Sequence, residues 1–199
     1  MNENWEDEWK GFKGLNAFGR IFWFNAKRAL RSALRFSGLP PGSRILDAGC
    51  GSGKSLRFFR DAGFSDVIGI DVSQSGLALC EKRGFVGGKD VFLMDATRTS
   101  FPDRNFDLVF AEGVLEHFQD FTPFVKEMCR LSKKYVMLIQ PNHFSLFGKL
   151  LRVRGEYVKE FPYKIKDFES AFRPFGFVLV YSRSVNFGED WALLFEKKD

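Results

Sequence analysis

Cysteine, histidine and long apolar runs are all scarce in this chain of 199 residues. Cys50, Cys80 and Cys129 are odd in number and far apart in sequence, which argues against a disulfide framework or a zinc site and indicates a reducing compartment. No uncharged apolar run reaches the ~18 residues that a membrane-spanning helix needs. The acidic segment 3–8 is unlike a signal peptide. We therefore expect a cytoplasmic protein without a membrane span.

Neither sign of charge is in large excess, since the formal net charge is +5. That value permits an anionic substrate or RNA but requires neither of them. Phenylalanine, by contrast, is abundant with 25 residues, and we expect part of this excess to line an apolar or aromatic substrate pocket. Helix-like and strand-like segments alternate along a chain of one-domain length, which predicts an α/β fold.

The most informative stretch is the glycine-rich segment Ile45-Leu46-Asp47-Ala48-Gly49-Cys50-Gly51-Ser52-Gly53. An apolar pair ends at a carboxylate and runs into alternating glycines, which is typical of a buried strand, a tight turn and a helix start. A phosphate-binding P-loop would need glycine in place of Ala48, although Gly53-Lys54-Ser55 matches its end. A dinucleotide fingerprint would need glycine in place of Lys54 or Leu56. The spacing D-x-G-x-G-x-G fits at every position.

Carboxylates also follow the next predicted strands. Asp71 ends the predicted strand Val67–Asp71 and follows Gly53 by 18 residues, close to the spacing of about 20 for a ribose-binding carboxylate. The alternative role for Asp71 is the N-cap of the next helix, for which Ser73 is a rival. Asp95 follows a third predicted strand and Glu112 a fourth. The carboxyl ends of these strands are therefore the predicted ligand site.

With these motifs the chain resembles the class I S-adenosylmethionine-dependent methyltransferases, and in particular their small-molecule members. The resemblance implies a Rossmann-like, doubly wound, mostly parallel sheet of seven strands, in the order 3-2-1-4-5-7-6 with strand 7 antiparallel. It implies S-adenosylmethionine as the cofactor, with Asp71 on the ribose, Asp95 near the adenine amino group and Ala96 at a backbone contact. The implied cofactor-binding set is Asp47, Ala48, Gly49, Cys50, Gly51, Gly53, Asp71, Val72, Asp95, Ala96, Ala111, Glu112 and Gly113.

The implied reaction is in-line transfer of a methyl group from a sulfonium to a small aromatic, apolar or anionic acceptor. The chain has only two histidines, His117 after strand four and His143 after strand five, and both are candidate catalytic bases. Weaker candidates on the substrate side are Glu112, Arg152, Arg154 and Tyr157. We predict no metal ligands. Three other functions stay open: a nucleotide hydrolase, an RNA methyltransferase and a non-catalytic binding subunit of the same fold.

The domain organisation predicted for residues 1–199 is a single domain with two additions, an N-terminal helical lid over 1–38 and a substrate-side insertion over 143–163. Helical periodicity from Phe18 to Phe36 places apolar residues on one face and arginines on the other. This helix is interpreted as a lid over the active site, with peripheral membrane contact and RNA binding as alternatives. The first ten residues are expected to be loosely ordered, with Trp5 and Trp9 as anchors.

Overall fold

In the residues that the computed structural model describes, 4–10, 17–145 and 160–198, seven strands form one sheet. The strands are β1 (Ile45–Ala48), β2 (Val67–Asp71), β3 (Val91–Leu93), β4 (Phe106–Glu112), β5 (Ser132–Pro141), β6 (Phe177–Val185) and β7 (Asp190–Lys197). Their order is β3-β2-β1-β4-β5-β7-β6. Strands β1 to β5 run parallel to one another, and β7 is antiparallel to both β5 and β6. The predicted sheet and strand order are confirmed.

Helices cover both faces of this sheet. They are α1 (Asn4–Lys10), α2 (Ala17–Ser37), α3 (Lys54–Asp61), α4 (Gln74–Lys82), α5 (Thr122–Leu131) and α6 (Ile165–Phe172). Short 3-10 turns occupy Leu115–His117, Arg173–Phe175 and Asn186–Gly188. The apolar residues of α2, α3 and α4 form the core on one face, and those of α5 and α6 form the core on the other. Within the described ranges, none of the helices is both long and apolar enough to cross a bilayer.

Strand β5 shows why the central strands read as apolar without interruption. Tyr135, Met137 and Ile139 enter the core beneath α2 and α3, whereas Val136 and Leu138 enter the core beneath α5 and α6. Because successive side chains of a strand point to opposite faces, a sheet covered on both sides needs apolar residues at every position. The burial of the aromatic side chains follows the same logic, and many phenylalanines lie in these two cores rather than at a pocket.

Helix α2 has the predicted amphipathic character. Its buried residues are Ala26, Ala29, Leu30, Ala33 and Leu34. Its arginines at 28, 31 and 35 are exposed, and Phe24 lies among them with 53% of its surface exposed. The helix therefore packs on the edge of the sheet formed by β6 and β7 and turns a basic surface outward.

One local feature differs from the expectation, since residues 4–10 form a helix rather than loose chain. Strand β3 ends at Leu93, and the backbone then turns at Asp95, whose Oδ1 accepts from the Thr97 backbone N–H at 2.8 Å. The β6–β7 hairpin closes at Asn186 and Phe187, which both take positive φ. Residues 146–159 of the predicted insertion, with Arg152, Arg154 and Tyr157, lie outside the described residues.

Candidate cofactor and acceptor site

A cavity of about 800 Å³ opens at the carboxyl ends of the central strands. It lies where the strand order reverses between β1 and β4, the usual ligand position in open α/β sheets. Most of the predicted cofactor-binding residues line it, and these are Asp47, Gly49, Cys50, Gly51, Asp71, Val72, Asp95, Ala96, Glu112 and Gly113. Ala48, Gly53 and Ala111 are not in its wall. They belong to the strands and the loop that hold the wall in place.

The glycine loop between β1 and α3 has no room for side chains. Gly49 takes a φ of 86°, and a Cβ there would lie 2.6 Å from Val114 Cγ2. A Cβ on Gly51, whose φ is 48°, would collide with the ring of Trp9. The backbone N–H groups of Gly49 and Cys50 donate to the carbonyl of Ile70, at 2.8 and 2.9 Å. The loop is thus pinned to β2 and presents bare backbone to the cavity.

Asp47 is the most unusual charged group of the site. It is 1% exposed, and its Oδ2 has no hydrogen-bond partner among the described residues. Burial raises the pKa of Asp47 well above its usual range, and the nearby carboxylates of Glu112 and Asp71 raise it further, against the opposing effect of Lys54. A buried, unpartnered carboxyl oxygen is costly unless a donor or a cation meets it. This oxygen therefore fits a positively charged ligand.

Asp71 and Asp95 are held by their own loops. Asp71 accepts from the backbone N–H of Gly51 at 2.7 Å and from that of Ser73 at 2.9 Å. Burial nevertheless raises the pKa of Asp71, although these two N–H groups act in the opposite direction. The N-cap of α4 is Ser73, whose Oγ accepts from the Gly76 N–H at 3.1 Å. The N-cap role considered for Asp71 is therefore filled by Ser73, and Asp71 ties the glycine loop to the wall of the cavity.

The residues that resembled the end of a P-loop make other contacts. Lys54 Nζ lies 3.0 Å from Glu112 Oε1, and Ser55 Oγ donates to Glu112 Oε2 at 2.7 Å. Lys54 also lies over the ring of Trp23, with its Nζ 4.7 Å from the centroid. A P-loop lysine must reach phosphate oxygens, and here a carboxylate occupies it. This geometry disfavours the nucleotide hydrolase.

The far end of the cavity is built from Glu116, His117 and Glu160. Their ligand atoms all lie within 4.8 Å of one another. Glu116 is 4% exposed, and its Oε2 has no hydrogen-bond partner within the described part of the chain. Burial raises the pKa of Glu116 to about 8, with smaller contributions from the carboxylates of Glu160, Asp190 and Glu112. We call these three residues the acceptor-end cluster.

The two predicted catalytic histidines occupy different places. His117 lines the cavity within the acceptor-end cluster, and the edge of Trp5 packs against its ring at a centroid distance of 4.8 Å. His143 is not in the cavity wall, and its Nε2 lies 3.7 Å from Glu160 Oε2. The structure therefore places His117 in the cavity wall and His143 behind Glu160. A catalytic role for either histidine stays a prediction.

Sequence reasoning missed much of the wall that the N-terminal helices supply. Trp5 and Trp9, one helical turn apart on α1, both face the cavity, as does Trp23 of α2. The available signal was this i, i+4 spacing, which puts two large side chains on one face of a helix. Glu6, on the same helix, accepts from Ser73 Oγ at 2.5 Å and from the Ser75 N–H at 3.0 Å, and so fastens α1 to the start of α4. The aromatic lining predicted from phenylalanine comes mainly from tryptophan.

Comparison with known proteins points in one direction. The family described as "Methyltransferase domain" matches residues 46–139, from β1 to the end of β5. A 2-methyl-6-phytyl-1,4-hydroquinone methyltransferase from Synechocystis sp. is 36% identical over 103 residues, which cover 51% of this chain and 32% of that protein. Phosphoethanolamine N-methyltransferase 1 from Zea mays is 26% identical over 135 residues, covering 66% of this chain and 27% of that protein. The chain thus spans about a third or less of both relatives.

A solved structure extends the likeness to nearly the whole chain. Magnesium protoporphyrin IX methyltransferase from Synechocystis, crystallised with bound SAH, superposes with a TM-score of 0.74 at 17% sequence identity. The match covers 98% of this chain and 94% of that structure. At such low identity it establishes a shared fold, which includes the strand order described above.

Proposed function

We propose that this chain is a class I S-adenosylmethionine-dependent methyltransferase and that it transfers the methyl group of S-adenosylmethionine to a small organic acceptor, as the family match, the relatives and the shared fold support. The observation that carries the proposal is Asp47, a buried carboxyl with an unpartnered oxygen at the wall of the cavity. A cationic ligand is the partner that such an oxygen lacks. The loop beside it contributes backbone at Gly49 and Gly51, where Val114 and Trp9 pack too closely to admit a side chain.

When bound, the cofactor supplies an electrophilic methyl group, whose bond to sulfur breaks with the electron pair kept by sulfur while the acceptor's lone pair bonds to the carbon. The protein contributes position and exclusion of water. We propose that Asp47 faces the charged amino-acid end, that Asp71 takes the ribose hydroxyls, and that Asp95 lies near the adenine. This order follows the wall of the cavity along the ends of β1, β2 and β3.

For the acceptor we propose an aromatic or apolar small molecule. The cavity wall beyond the glycine loop contains aromatic and aliphatic side chains, and these are Trp5, Trp23, Val114, Phe118, Phe124 and Ile139. The carboxylates of Glu116, Glu160 and Asp190 share this end of the cavity. They disfavour a purely anionic acceptor unless a cation lies between them and it.

We propose that α1 and α2 act as the cover of the site. Trp9 packs on the glycine loop, Trp5 packs on His117 and Trp23 lines the cavity, so the N-terminal helices contact both ends of the cavity. Because α2 turns a basic surface outward, contact with RNA or with a membrane is a second candidate role for this helix. The exposed side chains of Phe24 and Ile21 beside the arginines favour the membrane over RNA. A cytoplasmic location is part of the same proposal.

Calorimetric titration of the purified chain with S-adenosylmethionine tests the proposal, with ATP and magnesium as the parallel titration. We expect binding of the methyl donor at micromolar concentration and no binding of ATP. Binding of ATP alone would overturn the proposal in favour of the hydrolase. Binding of neither would favour a non-catalytic subunit. The variant Glu81→Gln, an exposed substitution on α4 away from the cavity, is the control for handling and folding.

A further inference from the structure

Resting on the proposed function, we propose that the acceptor-end cluster of Glu116, His117 and Glu160 is a site for one divalent transition-metal cation, such as Mn²⁺ or Zn²⁺. The cation would hold an oxygen of the methyl acceptor beside the donor. This goes beyond the sequence analysis, which predicted no metal ligands.

The first argument is distance. The ligand atoms of the three residues lie within 4.8 Å of one another. Bonds of about 2.0–2.2 Å place two ligand atoms of a tetrahedral cation about 3.3–3.6 Å apart, so the longest pair must close by at most about 1.5 Å, shared between two side chains. Side-chain rotation within rotamer wells supplies such a shift without moving the backbone.

The second argument is the unsatisfied carboxyl of Glu116. Its Oε2 is buried without a hydrogen-bond partner among the described residues, although the side chain lines the cavity. A buried carboxyl oxygen left in this state is costly, and a cation is the strongest partner it could gain. This observation is independent of the spacing of the three residues.

The third argument is that the local structure holds the cluster together. The Phe161 backbone N–H donates to the Glu116 carbonyl at 2.6 Å, which fixes the neighbouring Glu160 beside the Glu116–His117 pair. His143 lies 3.7 Å behind the Glu160 carboxylate. Metal ligands are commonly oriented by such an outer contact. We therefore assign His143 the role of positioning Glu160, which agrees with its place outside the cavity wall.

The ligand chemistry narrows the choice of cation. Carboxylates alone suit Mg²⁺ or Ca²⁺, whereas an imidazole favours Zn²⁺, Fe²⁺ and related ions, and the mixed set suits Mn²⁺ or Zn²⁺. Three protein ligands leave positions open for a substrate oxygen. Coordination lowers the pKa of an acceptor hydroxyl, whose proton is lost to water as the oxygen takes the methyl group. His117 would act as a ligand rather than as a base.

The test uses the full chain, freed of any purification tag and stripped with EDTA, titrated with MnCl₂ and followed by electron paramagnetic resonance. We expect one Mn²⁺ per chain, displaced by Zn²⁺. Glu116→Gln and His117→Asn should each weaken Mn²⁺ binding by at least about tenfold. Glu81→Gln, an exposed carboxylate on α4, should leave it unchanged. His143→Asn should weaken it less than Glu116→Gln.

No Mn²⁺ binding by the unaltered chain, or equal binding by Glu116→Gln, would overturn the inference. Glu116→Gln keeps the shape of the side chain and places a neutral amide at the buried position, so we expect this variant to fold. A titration of each sample with S-adenosylmethionine in metal-free buffer is run alongside. Loss of donor binding there would count against the proposed function, whereas loss of Mn²⁺ binding with donor binding intact would count against the cation site alone.

Discussion

The two ends of the cavity are built in different ways. The donor end consists of one continuous segment, β1 with its glycine loop, closed by carboxylates at the ends of the next two strands. The acceptor end is assembled from the 3-10 turn after β4, a residue of α1 and Glu160. The first presents backbone in a fixed geometry, and the second presents side chains from distant parts of the chain. The first construction suits a cofactor that many proteins of the same fold bind, and the second suits a substrate that differs from one such protein to the next.

Asp47→Asn should produce the largest change and should affect the donor end alone. Loss of the negative charge removes the partner of a cationic ligand, and we expect S-adenosylmethionine to bind about 100-fold more weakly, or ~2.7 kcal/mol. The unfolding free energy should stay the same or rise, because the carboxyl is buried near Glu112 and Asp71. Calorimetry measures the affinity for S-adenosylmethionine, and urea unfolding measures the unfolding free energy. Mn²⁺ binding weakened to the same degree would show that the two ends are not separate.

Asp71→Ala should have the second largest effect, because it should lower both the stability of the fold and the affinity for the donor. The carboxylate accepts two backbone N–H groups, from Gly51 and Ser73, and its removal leaves both unpaired. We expect unfolding to become easier by about 1–3 kcal/mol, together with donor binding at least about tenfold weaker. Asp71→Asn, which keeps one acceptor oxygen, should lose less stability and less donor affinity than Asp71→Ala. A normal melting temperature in Asp71→Ala would refute the anchoring role.

The pH dependence of donor binding should be the third effect. Burial, Glu112 and Asp71 raise the pKa of Asp47, opposed by Lys54, so the folded apo protein holds a proton that the unfolded chain has released. The contribution of Asp47 to the unfolding free energy is therefore lost as pH rises from about 4, the pKa in the unfolded chain, toward the pKa in the folded protein. A cationic donor favours the carboxylate, so its binding should release protons and should strengthen as pH rises toward the folded pKa.

Calorimetry of donor binding in two buffers of different ionisation enthalpy measures the proton released, and urea unfolding between pH 5 and 8 measures the stability slope. The comparison with Asp47→Asn isolates this group from Glu116, whose pKa is also raised. A wild-type slope unchanged in the variant would assign the proton elsewhere.

The smallest effect is expected from Glu6→Ala. It removes the contacts of α1 with Ser73 and Ser75 and leaves both ends of the cavity intact. We expect a melting temperature close to that of the unaltered protein, faster amide exchange in α1 and donor binding weakened only a few-fold. Exchange unchanged in α1 would mean that Trp5 and Trp9 alone hold this helix.

The sequence predicted the donor end because its determinants are local. The spacing of Asp47, Gly49, Gly51 and Gly53, and the carboxylate at the end of β2, can be recognised without knowing what lies nearby. Contacts across the fold could not be recognised in this way. The pairing of Lys54 with Glu112 and the approach of Glu160 to Glu116 leave no pattern in the sequence. Glu112, which binds both Lys54 and Ser55, lies 57 residues after Ser55. A lid over 1–38 and the anchors Trp5 and Trp9 were predicted, whereas the contacts of these tryptophans with the cavity were not, for the same reason.

Helix α1 rests with Trp9 on the donor loop and Trp5 on the acceptor-end histidine. A rigid body of seven residues that touches both compartments must lift from both at once. We therefore expect donor and acceptor to exchange in the same opened state of the protein. A steady-state rate that falls as solvent viscosity rises would show that this opening, and not the chemical step, limits turnover.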